Sequence, residues 1–254
     1  MQQSNSYIII FSVALTIIVG GLLSFTSEVL KPAQKRQVEL DTKKKILGAV
    51  MDISSIEDPK QILELYSKRM TSKVIDVNGK EVTTDKKGNK LVAENINIQK
   101  NHKIDPSERY FPVFMYMNES VPTKVDAYVL PMFGAGLWDW ISGFLALESD
   151  LNTIKGIAFD HKTETPGLGA RISSSEIQDR YKGKKVFDGA NSLQSVSMVK
   201  GEKGLPLDDH HVDGMSGATM TGNGVNEMLL SYLKFYSAFI SNTKSTQGGL
   251  AVAE

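Results

Sequence analysis

Residues 7 to 25 read YIIIFSVALTIIVGGLLSF, nineteen positions without a charge. As a helix rising about 1.5 Å per residue, the run is roughly 28 Å long. That is close to the thickness of a bilayer's hydrocarbon core, so the stretch predicts a membrane-spanning helix. Ser12 and Thr16 fit such a helix by bonding back to its own carbonyls. A cleaved signal peptide fits less well. No basic residue precedes the run, and TSEVLKP follows it without a small-x-small cleavage site. The expectation is a permanent single-span anchor in the bilayer. Lys31, Lys35, Arg36, Lys43, Lys44 and Lys45 all follow the span. By the positive-inside rule they would keep the large domain cytoplasmic.

Beyond the span, short strand-like and helix-like patterns mix. VDAYVLPMF, FPVFMYM, IKGIAFDH and LQSVSMVKG read as strands, and LWDWISGFLALE is ambiguous. SKVIDVNGKEV carries an Asn-Gly hairpin signal, and TTDKKGNKLV repeats the idea with Gly-Asn. Asp58-Pro59 opens a helix over QILELYSKRM, and SSEIQDRYKGKKV reads as helical. Val225, Met228, Leu229, Tyr232, Leu233, Tyr236, Phe239 and Ile240 recur at helical steps, with Thr221 or Asn223 as N-cap. The expected class is α+β: a single N-terminal transmembrane helix followed by a mixed α+β domain. The expected boundaries are a tail at 1–6, the span at 7–25, a helical neck at 26–60, a soluble domain at 61–241 and a flexible tail at 242–254.

Lys plus Arg and Asp plus Glu both number 29, which gives no electrostatic case for a nucleic-acid partner. The absence of cysteine excludes disulfides, thiolate metal sites and cysteine nucleophiles. His210, His211 and Asp213 sit close in sequence, but only His102 and His161 remain to complete a ligand set, so no metal is expected.

Three stretches carry chemistry. The first, DGMSGATMT at 213–221, puts small residues and hydroxyls just before the last helix. Free amides and the positive end of a helix dipole would lie beside Ser216, Thr219 and Thr221, a ready place for a phosphate. A polar capping loop fits the same residues. A nucleophile elbow does not, because Ala218 stands where G-x-S-x-G needs glycine. The second, HKTETPGLGA at 161–170, places Glu164 and Thr165 at the rim of a turn, with Gly169 allowing close backbone approach. A solvated turn is the plainer alternative. The third, GAGLWDW at 134–140, lacks the last glycine of a dinucleotide fingerprint; its Trp138 and Trp140 suit either a planar ligand or the core. Lys184, Lys185 and Lys200 read as surface charges, of which Lys200 is kept as a partner for a phosphate.

Taken together, D-G-M-S-G-A-T, E-T-P-G-L-G and G-x-G-L-W resemble the ordered signatures of the FMN-binding domain family. With the anchor, the resemblance runs the length of the chain and is nearest to the C-subunit family of sodium-translocating NADH:quinone oxidoreductases. It implies FMN joined by a phosphoester to Thr219. Ser216, Gly217, Ala218, Met220 and Thr221 would line the phosphate and ribityl end. Glu164, Thr165, Leu168, Gly169 and Trp138 would approach the ring, and Asp213 would present the loop for modification. The implied partners are the other members of a membrane complex of six subunits and a flavin transferase that uses FAD. The implied place is the bacterial inner membrane with the domain on the periplasmic side, against the positive-inside expectation. The implied role is an electron relay within an NADH:ubiquinone reductase. Other expectations compatible with the residues are a G subunit of an Rnf-type complex, a membrane-anchored module binding a phosphorylated ligand noncovalently, and an assembly subunit with an empty site.

Overall fold

The computed structural model describes residues 4–204 and 207–251, and the chain divides after Lys43 into two units. The first is a continuous part of α1 (Asn5–Val50). Its apolar side chains from Tyr7 to Phe25 are exposed, and the helix is long and apolar enough to cross a membrane. The Thr16 hydroxyl donates to the Ser12 carbonyl at 2.8 Å, as its spacing predicts. The helix passes Phe25 and Pro32 without a break. Side-chain pairs one turn apart, such as Glu39 with Lys43 at 2.6 Å and Gln37 with Asp41 at 2.9 Å, support that stretch.

The second unit starts at Lys44, well before the boundary at residue 61, because Ile46, Leu47, Ala49 and Val50 of α1 are buried in it. The expected neck therefore ends at Val50, and residues 51–58 are not helical. Helix α2 (Pro59–Arg69) follows, with the Asp58 carboxylate accepting from the Lys60 amide at 2.9 Å. Strands β1 (Met70–Ile75), β2 (Phe111–Met117), β3 (Val125–Ala135), β4 (Trp140–Glu148) and β5 (Ile154–His161) form an antiparallel sheet in chain order. Between β1 and β2, the second hairpin signal gives only a Thr84–Lys90 bridge, followed by α3 (Ile98–His102).

Alternation along the strands creates two apolar faces. Tyr128, Leu130 and Met132 of β3 join one core with Phe111, Val113, Leu145 and Phe159. Helix α5 (Thr219–Ala251) lays Val225, Met228, Leu229, Tyr232, Leu233, Tyr236, Phe239 and Ile240 into that core, as the sequence periodicity predicts. Each such side chain contributes about 1.5–3 kcal/mol by burial. The Tyr236 hydroxyl donates to the Pro112 carbonyl at 2.9 Å, tying the helix to the middle of the sheet. On the other face, the Tyr116 hydroxyl reaches Met51 Sδ at 3.5 Å, and the Arg69 guanidinium lies 4.3 Å over the Tyr116 ring.

Two patterns shrink. The SSEIQDRYKGKKV helix is reduced to α4 (Ser175–Gln178) and a 3-10 turn at Asp179–Tyr181, closed by Gly183 at φ +77°. LQSVSMVKG gives only β6 (Ser197–Met198), parallel to β7 (His211–Val212). One pattern lengthens: α5 continues past residue 241, where a flexible tail was expected. Thr243 and Thr246 hydroxyls bond back to the Phe239 and Asn242 carbonyls, and Gln247 reaches the Tyr128 hydroxyl at 3.2 Å.

Candidate functional site

The three sequence stretches meet at the N-terminal end of α5. Thr219 is the first residue of that helix, which therefore starts ahead of both expected caps, Thr221 and Asn223, and it is exposed. The Gly222 amide closes the first turn on the Ala218 carbonyl at 3.0 Å. By helical geometry the amides of Thr219, Met220 and Thr221 have no carbonyl one turn earlier in the helix to bond. Thr221 does not cap. Its side chain is 1% exposed and donates to Glu164 Oε2 at 2.6 Å. The turn before the helix needs its glycines: Gly217 has φ +74°, and a β-carbon on Gly214 would overlap the Val199 carbonyl oxygen.

Glu164 is not at the rim. It is 4% exposed, and its Oε1 accepts from the Leu137 amide at 2.8 Å and the Trp138 amide at 3.2 Å. Gly169 is buried as well. A β-carbon there would stand 2.4 Å from both Glu164 Oε2 and Thr221 Oγ1, so the glycine makes room for this hydrogen bond rather than for a ligand. Thr165 is exposed, and its Oγ1 accepts from Trp138 Nε1 at 3.3 Å. Trp138 is 69% exposed, Met220 60% and Leu168 41%, and Leu168 Cδ2 lies beside Gly217. Ser216 is exposed and Ala218 buried.

Two candidates stand apart from this cluster. Asp213 turns to the 201–204 segment, accepting from the Lys203 amide at 2.8 Å and the Gly204 amide at 2.6 Å. The Lys203 amide bond, helped by those of Gly204 and Gly214, holds its carboxyl below the usual range. Lys200 is exposed in the segment whose flanking carbonyls crowd Gly214, and it does not reach Thr219 by any hydrogen bond or ion pair among the described residues. The two histidines diverge: His210 Nδ1 meets the Lys185 carbonyl at 2.8 Å, and His211 Nδ1 meets Asp208 at 2.7 Å.

Sequence reasoning missed the ion cluster that braces the loop. Arg180 Nη1 donates to the carbonyls of Asp213 at 3.1 Å and Gly214 at 2.7 Å. Glu202 bonds Arg180 at 2.5 Å and Arg171 at 2.8 Å, and the Ser216 amide approaches it at 3.5 Å. Hydrogen bonds from Arg171, then Arg180, hold the Glu202 carboxyl down at about 2. It also missed Asn226, whose side chain bonds both the amide (2.7 Å) and the carbonyl (3.0 Å) of Met198 in β6. Neither group has a local spacing signal. The partners lie 14 to 34 residues apart in sequence.

The arrangement offers an exposed hydroxyl on the first residue of a long helix, first-turn amides with no acceptor within the helix around it, and exposed apolar side chains beside it. Those features suit a phosphorylated group with a planar apolar part. Residues 136–234, which hold Glu164, Thr219 and Thr221, match the family described as FMN-binding domain. The chain is 31% identical to the C subunit of the Na(+)-translocating NADH-quinone reductase of Chlamydia trachomatis, over 94% of this chain and 93% of that one. It is 32% identical to the C subunit of the same reductase from Vibrio vulnificus, over 84% of each. The crystal structure of the C subunit from Parabacteroides distasonis superposes with a TM-score of 0.69 at 31% identity, covering 83% of this chain and 96% of that one. The chain belongs to the family of C subunits of the Na(+)-translocating NADH-quinone reductase.

Proposed function

We propose that this chain is the electron-carrier subunit of a membrane-bound Na(+)-translocating NADH:ubiquinone oxidoreductase, and that it holds FMN through a phosphoester on Thr219 Oγ1. The observation that carries the second statement is the position of Thr219, exposed at the first residue of α5. The α5 amides and the helix dipole stabilise the charge of a phosphodiester there. Ser216, Gly217, Ala218 and Met220 surround the same end. Thr221 serves through its amide, because its hydroxyl is committed to Glu164. Trp138, Leu168 and Met220 offer apolar surface to an isoalloxazine ring, and Thr165 orients the indole of Trp138. Asp213 shapes the preceding loop, and Lys200 adds positive charge near it. When bound, FMN supplies the redox chemistry, and the protein supplies position and electrostatics. A covalent link keeps the cofactor in place through every redox state.

The remaining proposals follow family membership. Residues 7–25 anchor the chain in the bacterial inner membrane, with the domain on the periplasmic side. The partners are the other members of a complex of six subunits, and a separate transferase using FAD attaches the flavin. The test is in-gel fluorescence of the denatured chain after co-expression with such a transferase. Wild type should fluoresce and Thr219→Val should be dark. A fluorescent Thr219→Val band would place the flavin elsewhere.

A further inference from the structure

Glu164 is a buried carboxylate without a cation beside it among the described residues, and each of its hydrogen bonds has it as acceptor. Those bonds join all three sequence stretches. Oε1 takes the amides of Leu137 and Trp138 in the turn between β3 and β4, and Oε2 takes the hydroxyl of Thr221 in the first turn of α5. Two glycines wall the carboxylate in: a β-carbon on Gly136 would stand 2.3 Å from Oε1, and one on Gly169 2.4 Å from Oε2. Both glycines belong to the stretches that look ligand-facing in sequence, yet what they accommodate is this side chain.

We propose that Glu164 is a positioning residue for the flavin, holding the Trp138 turn at a fixed distance from the Thr219 end of α5, and that its negative charge lowers the flavin's midpoint potential. The inference rests on the reading that FMN is carried on Thr219. Without the carboxylate, the backbone of the Trp138 turn and the attachment helix lose a side chain that hydrogen-bonds to both. As a carboxylate the group accepts all three hydrogen bonds, and the charge proposed is that of this ionised form. An uncompensated anion opposes adding electrons nearby. A unit charge about 10 Å away, at an effective dielectric of about 20, shifts a redox ratio by roughly tenfold. For a one-electron couple that is about 59 mV.

The experiment uses the full chain in detergent, wild type, Glu164→Ala and Glu164→Gln. In the unmodified chain, hydrogen exchange at the Leu137 and Trp138 amides reads the clip without flavin. After reaction with flavin transferase and FAD, intact mass reads loading and a spectroelectrochemical titration reads the potential. Glu164→Ala should exchange at least tenfold faster at those amides and load flavin more slowly. Glu164→Gln retains one acceptor oxygen and a group that can bond the Thr221 oxygen, so it should recover loading. Its midpoint should lie positive of wild type by the shift given above. Unchanged exchange and loading in Glu164→Ala would overturn the positioning role, and an unchanged potential in Glu164→Gln would overturn the electrostatic one. If Glu164→Ala does not fold, Glu164→Gln still tests the charge. Because its neutral oxygen is a weaker acceptor than a carboxylate, exchange at the two amides should be faster than in wild type; exchange equal to wild type would overturn the clip. A wild-type chain that stays unmodified while the transferase labels a control protein would refute FMN on Thr219. The exchange result would still decide the clip.

Discussion

Gly169→Ala is the smallest change that attacks the site from within. The added carbon would stand 2.4 Å from both Glu164 Oε2 and Thr221 Oγ1, and 3.3 Å from Glu164 Cβ. Those two oxygens are bonded to each other at 2.6 Å, so neither moves without breaking that bond. Oε1 is held by two amides, which limits rotation of the carboxylate. Gly169 does not have positive φ, so alanine brings no backbone strain and the effect is steric. Overpacking costs about 1–3 kcal/mol, and a lost hydrogen bond to a charged group about 1.5–3 kcal/mol. The two describe one event, so the expected cost is about 2–3 kcal/mol. For a domain of 150–250 residues that lowers Tm by roughly 4–12 °C. Gly189→Ala is the control, because Gly189 is exposed and a β-carbon there meets nothing within 4 Å. Thermal unfolding of both variants in detergent, followed by circular dichroism, measures the difference. If Gly169→Ala melts within about 1 °C of Gly189→Ala, the packing inferred around Glu164 is wrong.

Asn226→Ala removes both bonds to Met198, and about 2 kcal/mol of stability should go with them, read as a drop of roughly 4–8 °C in Tm. Asn226→Asp keeps the acceptor for the Met198 amide and should lose less; equal losses would refute the assignment. The Glu202 cluster should show its contribution through pH. Its folded pKa is depressed to about 2 from 4.5, so the stabilisation is full above 4.5 and disappears as pH falls through about 2. Glu202→Gln should therefore melt below wild type at about pH 6, with the gap closing toward about pH 2. A gap independent of pH would show that the ion cluster is not its source.

The elements legible in the sequence are those whose pattern is strong over many residues. Val225, Met228, Leu229, Tyr232, Leu233, Tyr236, Phe239 and Ile240 of α5 fall at helical spacing, and these eight are buried. FPVFMYM forms β2 without a shift of boundary. The span at 7–25 is part of one longer helix, because the polar residues that follow pair along α1 instead of ending it. At the site, the clustering of three stretches was visible and the division of labour within it was not. Glu164 and Gly169 look like ligand contacts in sequence because an acid and a glycine in a turn imply exposure. Their burial depends on Leu137, Trp138 and Thr221, with Trp138 26 residues and Thr221 57 residues from Glu164. The cap of α5 was misplaced for the same reason: Thr221 has a tertiary partner that competes with its own helix.

Covalent FMN on Thr219 is tested most directly by the intact mass of the chain after reaction with a flavin transferase and FAD, with peptide mapping of residues 213–221. One added FMN less one water is expected, located on Thr219 and absent from Thr219→Val. An unmodified wild-type chain beside a labelled control, or a flavin mapped to another residue, would contradict it.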